Sequence, residues 1–182
     1  MVIAQPVLAQ ATQWDELVRM GDAAFDQQQF AQSESAYSKA LTEAEKFGPD
    51  DDRLADTLLG LARAYRFESK YDEAIGALNR CISLKEKKLG PDSLDVAQLL
   101  SKVASIYDVE GKYDEALATC KKAETIAEKS LKQDDPILLT IKDWYAGVLE
   151  KKNKAADSQG NAKQTVSPAS APASPEQSGG AK

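Results

Sequence analysis

The chain predicts an all-α fold assembled as a repeat solenoid, and three observations carry that reading. Lys70-Tyr71-Asp72-Glu73-Ala74 recurs unchanged as Lys112-Tyr113-Asp114-Glu115-Ala116, 42 positions on. Leu89-Gly90-Pro91-Asp92 echoes Phe47-Gly48-Pro49-Asp50 at the same 42-residue distance. Within each unit the apolar residues fall at spacings of three and four, the helical period. A repeat of this kind buries its apolar face only against its neighbours, so the array forms an elongated scaffold with a continuous surface rather than a single deep pocket.

The first unit, residues 14–48, is the loosest: Gly21, Phe30, Tyr37 and Ala40 stand 41 positions before Ala62, Tyr71, Leu78 and Cys81. The second, 51–90, has one helical run through Leu54, Leu58, Leu61, Ala62 and Tyr65, and another through Tyr71, Ala74, Ile75, Leu78, Cys81 and Ile82. The third, 93–132, repeats both runs through Val96, Leu100, Val103, Ala104 and Tyr107, then Tyr113, Ala116, Leu117, Cys120 and Ala123. A partial fourth copy begins at Asp134. It predicts a capping helix over 136–152 that buries Ile137, Leu138, Ile141 and Leu149 and turns Lys151 and Lys152 to water, as a terminal repeat requires. Small residues (Ala62, Ala74, Ala104, Ala116) alternate with tyrosines, so paired helices approach closely while the rings, Tyr65 and Tyr107 largely buried among them, fill the space between.

The punctuation agrees with this division. Gly48, Gly90 and Gly111 stand where helices end. Asp50, Ser93 and Asp135 are placed to cap the helices that follow, and Pro136 suits a first helical position, where its missing N–H costs nothing. Ser69 and Gln28 occupy the places that correspond to Gly111. Those two turns therefore take another geometry or carry strain.

On these residues the chain resembles the tetratricopeptide repeat family. Leu61-Ala62-Arg63-Ala64-Tyr65 through Tyr71-Asp72-Glu73-Ala74, and Val103-Ala104-Ser105-Ile106-Tyr107 through Tyr113-Asp114-Glu115-Ala116, match its helix–turn–helix pattern. The usual unit is about 34 residues. The longer unit here, the Leu-Gly-Pro-Asp linker and the Ala118-Thr119-Cys120-Lys121-Lys122-Ala123 segment are most similar to the repeats of kinesin light chain. The resemblance spans roughly residues 14–152. It implies a tetratricopeptide-type solenoid of three helix pairs plus a C-terminal capping helix, and a binding architecture whose partners are set by surface residues that vary from member to member.

Composition bounds the rest. From Asn153 to Lys182 the only large apolar residue is Val166, and Ser, Ala, Pro, Gly and Gln dominate. Such a tail, 153–182, does not bury enough surface to offset its ordering entropy. The net charge is −6, with the tail contributing +1. An acidic body repels phosphate backbones, so nucleic acid is disfavoured as a partner. The basic pairs Lys87-Lys88, Lys121-Lys122 and Lys151-Lys152 read instead as cations complementing helix C-termini. No segment approaches the length of a membrane span, so no membrane insertion is expected. Residues 1–12 are expected to be loose. Ala9-Gln10-Ala11 has the small-residue pattern of a signal-peptidase site, without a basic start or a full apolar stretch before it. Two readings stand: the end of an export signal, which would place the protein outside the cytoplasm, or the frayed start of a cytoplasmic one.

Nothing in the chain points to catalysis. With no histidine, a Ser-His-Asp triad, a Cys-His pair and any His-ligated metal are excluded. There is no phosphate-cradling glycine loop, and no cofactor or metal is expected. Asp50-Asp51-Asp52 reads as a helix-start cluster, since acids favour the positive end of a helix. Cys81 and Cys120 lie on apolar helix faces and read as small core residues. A disulfide requires Cα atoms within about 7 Å, and places one helical turn apart in successive repeats are expected to exceed that.

The resemblance also indicates where a partner would lie. In tetratricopeptide arrays the first helix of each unit lines the concave side. Carried across, this gives Asp15, Val18, Asp22, Phe25 and Asp26, then Asp56, Leu59, Arg63, Arg66 and Phe67, then Gln98, Ser101, Ser105, Asp108 and Val109. The candidate groove residues are Asp22, Phe25, Asp26, Leu59, Arg63, Arg66, Phe67, Ser101, Ser105 and Asp108. The Lys and Asn set by which some relatives clamp a terminal carboxylate is missing. Two functions fit: an adaptor holding a protein or peptide segment, an acidic group near Arg63 and Arg66 and an apolar one near Phe67, or a structural array that self-associates through its ends or convex face.

Overall fold

The structure is a computed structural model that describes residues 4–164, with side chains for 12–158. Among the described residues the chain forms seven α-helices and no strand. They are α1 (Ala4–Asp26), α2 (Phe30–Ala44), α3 (Asp52–Phe67), α4 (Tyr71–Leu89), α5 (Leu94–Glu110), α6 (Tyr113–Ser130) and α7 (Pro136–Gln164), with a single 3₁₀ turn at Glu45–Phe47. Short connections make consecutive helices antiparallel neighbours. The pairs α1/α2, α3/α4 and α5/α6 each pack together, α2/α3, α4/α5 and α6/α7 link one pair to the next, and α1 also touches α3.

Two expected boundaries move outward. The first helix begins at Ala4 rather than near residue 13, and the last continues to Gln164 rather than ending at Lys152. The reason is local: Lys151 to Gln159 contains neither proline nor glycine and is rich in helix formers, so nothing stops α7 there. Residues 165–182, the remainder of the expected loose tail, lie outside the described residues.

Side-chain caps fix the starts of α3, α5 and α7. The Asp51 carboxylate, one residue later than expected, accepts from Arg53 N–H at 3.0 Å and opens α3. The Ser93 hydroxyl accepts from Val96 N–H, and the Asp135 carboxylate accepts from Ile137 N–H at 2.9 Å just inside Pro136. Gly111 turns with φ 82°, and Ser69 and Gln28 adopt the same left-handed conformation at 59° and 60°. The geometry of the three turns is thus common, and two of them hold it with a side chain that disfavours it.

The main core lies between α3, α4 and α5, where Leu54, Leu58, Leu78, Ile82, Val96, Leu99 and Val103 are buried. Cys81 and Cys120 are fully buried free thiols, and burial pushes both up to about 11. Tyr65 and Tyr107 are half-buried against the core rather than enclosed. A smaller cluster joins α5 and α6 to Leu138 and Ile141 of α7.

On α7 the inward face is Leu138, Ile141 and Val148, whereas Ile137 and Leu149, expected inside, are exposed. The helix is rotated because Trp144 and Tyr145 pack with Val148 against Ala116 and Leu117. Lys151 and Lys152 do not simply face water: Lys151 pairs with Asp108 at 2.6 Å and Lys152 pairs with Asp114.

Candidate functional site

The first helices of the three pairs, α1, α3 and α5, shape an open groove of about 620 Å³. Val18, Asp22 and Phe25 come from α1, Asp56, Leu59, Arg63, Arg66 and Phe67 from α3, and Lys102, Ser105 and Ile106 from α5. The floor is closed by Tyr37 of α2 and Leu78 of α4. These residues converge because positions three, four and seven apart share one side of each helix.

Seven of the ten candidate residues line this groove: Asp22, Phe25, Leu59, Arg63, Arg66, Phe67 and Ser105. Ser101 faces a smaller cleft of about 300 Å³ with Gln98, Lys102, Ile137, Thr140 and Ile141. Asp26 and Asp108 line neither. Asp108 is drawn away by α7: one carboxylate oxygen accepts from Lys151 Nζ at 2.6 Å, and the other is buried without a hydrogen-bond partner.

The arginines divide. Arg63, although exposed, is engaged by its own chain, its Nη2 3.0 Å from Asp22 Oδ1 and its guanidinium 4.0 Å from the centre of the Phe25 ring. Asp22 also accepts from the Tyr37 hydroxyl at 2.6 Å. Burial, and then the negative Asp22 beside it, raise the Tyr37 phenol well above its ordinary range. Arg66 lies 5.6 Å from the centre of the Phe67 ring, and among the described residues it enters no ion pair. Lys102 likewise has no carboxylate partner among them. Asp56 is the groove's other acid. Burial raises its carboxyl above the usual range, and Lys85 opposes the rise.

Aromatic rings form the lip beside these cations. Phe25 meets Phe30 and Phe67 edge to face at 5.3 and 5.1 Å, and Phe30 stacks on Phe67 at 4.9 Å. Phe67 remains 51% exposed, and Val109, one repeat on, 52%. Apolar surface thus lies open beside cations that have no carboxylate partner among the described residues.

Tyr37, Gly60, Ala62, Leu78, Lys102 and Ile106 line the groove outside the set expected from the sequence. Lys102 was recoverable, since it stands four after Gln98 and three before Ser105 on the same helical face. Tyr37 gives no such signal, because it enters from a second helix, α2, with its ring against Gly21 and Gly60. Among the described residues no group of His, Cys, Asp or Glu is placed to hold a metal ion.

Tetratricopeptide repeat signatures match residues 16–87 and 97–130. The chain belongs to the tetratricopeptide repeat family. No curated protein matches its sequence. Its fold is similar to the nearly identical TPR-like repeats of a kinesin light chain from Podosopora anserina, at 17% identity and TM-score 0.61, covering 86% of this chain and 72% of that one. It is similar also to BtubC (BKLC) from P. vanneervenii, at 16% identity and TM-score 0.61 over 93% of this chain and 71% of that one. The N-terminal domain of stress-induced protein-1 (STI-1) from C. elegans aligns at 16% identity and TM-score 0.52, covering 72% and 95%. The repeats are thus of the kinesin-light-chain type in fold, and the tetratricopeptide array is a protein–protein interaction module.

Proposed function

We propose that the concave groove holds an extended segment of another protein, with an acidic side chain between Arg66 and Lys102 and an apolar or aromatic one against Phe67. The observation that carries this is the pair of cations that have no carboxylate partner among the described residues, beside the apolar side chains of Leu59 and Ile106. Internally neutralised Arg63 shapes the wall instead of receiving the acid, which moves the charge site from the Arg63/Arg66 pair toward α5. A guanidinium and an ammonium facing one carboxylate give charge-assisted hydrogen bonds, stronger than neutral ones.

The function is binding without chemistry of its own. The absence of histidine and two thiols pushed up to about 11 support that reading. The net charge of −6 speaks against nucleic acid as the partner. No described helix is long and apolar enough to cross a membrane.

The test is a fluorescence titration against an array of extended peptides with an acidic residue flanked by aromatic or aliphatic ones, each paired with its lysine-substituted counterpart. The acidic set is expected to bind and the lysine set not. Arg66→Glu with Lys102→Glu is expected to weaken binding at least about tenfold, about 1.4 kcal/mol, without loss of helix. Equal binding of both sets, or an unchanged double variant, would remove the groove as the site.

A further inference from the structure

Besides Arg66 and Lys102, the groove holds a third charge that its own chain leaves unanswered. Asp56, in the second turn of α3, lines the groove and enters no hydrogen bond or ion pair among the described residues. The acids around it are all matched. Asp51 pairs with Arg53 at 3.0 Å, Asp52 with Lys88 at 2.7 Å and Asp95 with Lys85 at 3.6 Å. Lys85 also stands 3.7 Å from Asp52, so it is divided between two other carboxylates. Asp56 is the odd acid of the set.

Helix position does not account for it. A carboxylate complements the helix dipole within the first turn, and in α3 that place belongs to Asp52, with Asp51 as the cap. Asp56 stands four residues further in and is exposed. Burial nevertheless raises its carboxyl above the usual range, Lys85 opposes the rise, and Asp52 and Asp51 add to it. An anion so placed is favoured by an opposite charge brought to it from outside. Of the equivalent positions, Asp15 of α1 lies outside the groove, and α5 and α7 carry the uncharged Gln98 and Thr140. The groove therefore offers one place for a cation.

The charges are also ordered along one helix. Asp56 and Arg66 are ten residues apart on α3, about 15 Å at about 1.5 Å per residue. Lys102 of α5 stands 42 after Gly60, at a level between them. A carboxylate held between Arg66 and Lys102 is then about 10 Å along α3 from Asp56. An extended segment covers that distance in about three residues, and the long stem of a lysine or arginine takes up the difference.

We propose that the segment held in the groove is bipolar, carrying besides its acidic and apolar residues a lysine or arginine whose cation meets Asp56. This rests on the groove being the binding site. Opposite charges at two points of one wall fix register and partner choice more than they raise affinity. Asp56 also turns away segments that are acidic throughout, as does the chain's net charge of −6.

Fluorescence titration of matched peptides tests this. The members of each pair share one acidic-aromatic segment and differ at a single position, two or four residues to either side of the acid, which holds lysine in one and glutamine in the other. Even separations keep both side chains on one face of an extended chain. With the wild-type chain, the lysine member of at least one pair is expected to bind about three- to fivefold tighter, as far as a partly exposed ion pair reaches. That ratio is expected to fall to about one in Asp56→Asn and to invert in Asp56→Lys, with the helical circular dichroism of both variants that of wild type. Asp56→Ser replaces Asp56→Asn should that variant unfold. A wild-type ratio near one in every pair, or a preference for lysine that persists without the Asp56 carboxylate, overturns the proposal, while binding of the glutamine members leaves the groove standing as the site. If no member of any pair binds, the groove falls as the site and this proposal falls with it.

Discussion

The ring of Tyr37 lies so close to Gly60 that a β-carbon on that glycine would stand 2.2 Å from Tyr37 Cε1. From the other side Gly21 approaches the same ring, with its would-be β-carbon 2.8 Å from Cε2. The ring is therefore clamped between α1 and α3, is only 3% exposed, and is anchored by its hydroxyl to Asp22. Gly60→Ala is expected to destabilise the domain by about 1–3 kcal/mol, although alanine gains nearly 1 kcal/mol in intrinsic helix propensity. The clash wins because a rigid ring held at three points has nowhere to move. Thermal unfolding measures it, and an unchanged midpoint would mean the ring shifts freely.

Gly76 is the control for that argument. It stands exposed inside α4, and a β-carbon there meets nothing within 4 Å. Only propensity acts, so Gly76→Ala is expected to stabilise by up to about 1 kcal/mol. Opposite signs at Gly60 and Gly76 in the same melting series separate packing from propensity.

The three turns give a second matched comparison. Gly111→Ala places a side chain at φ 82° and is expected to cost about 1 kcal/mol. Ser69→Gly relieves the same conformation at φ 59°. Its net gain is expected to be a few tenths of a kcal/mol, because glycine also loosens the unfolded chain by about 0.5–1 kcal/mol. Urea midpoints at constant m-value report both. A loss of stability in Ser69→Gly would show that its hydroxyl, 3.4 Å from that of Tyr71, matters more than the backbone strain.

Much of this architecture is legible in the sequence because a repeat states its own periodicity. The 42-residue spacing separates the helix pairs, and the three-and-four pattern marks their inner faces without knowledge of contacts. What is not legible depends on side chains meeting across repeats. Nothing local to Arg63 shows that Asp22, 41 residues earlier, already neutralises it. The rotation of α7 is hidden for a similar reason: Ile137, Leu138 and Leu139 are equally apolar, and only the bulk of Trp144 and Tyr145 against α6 decides that Leu138 goes inside. The outer ends of α1 and α7 are hidden because a small-residue, polar composition does not by itself end a helix, and α7 runs through Gly160 to Gln164.

Stability is expected to fall at both ends of the pH scale. Lys88 hydrogen-bonded to Asp52, and Lys142 to Glu128, hold those carboxyls below their ordinary values. Their contribution is present above the unfolded values near 4 and is lost as pH falls through the lowered folded ones. The buried thiols act in the opposite direction. Cys81 and Cys120 rise from 9.0 to about 11, so the neutral thiol favours the folded state, fully below 9 and progressively less up to 11. Melting curves across this range check both limbs, and Cys81→Ala with Cys120→Ala is expected to flatten the alkaline limb relative to wild type. Below pH 9 the native thiols are expected to react with a disulfide reagent far more slowly than in denaturant. Rapid native labelling would show that helices α4 and α6 open readily.

Arg63 and Arg66 stand three residues apart, and their surroundings assign them different work. Arg63→Ala removes a partly exposed ion pair to Asp22 and a stacking contact on Phe25. Each such contact is worth about 0.2–1 kcal/mol at an exposed site, so a lowered melting midpoint is expected with acidic-peptide affinity changed less than about threefold. Arg66→Ala leaves no carboxylate unpaired among the described residues. Its midpoint is expected to stay within about half a kcal/mol of wild type while affinity for acidic peptides drops about tenfold. Melting and titration on the two single variants therefore give crossed outcomes. If Arg63→Ala instead weakened binding more than Arg66→Ala, the ligand carboxylate would have to displace Asp22 to reach Arg63, and the acid site would belong on the α1 side of the groove, away from Lys102.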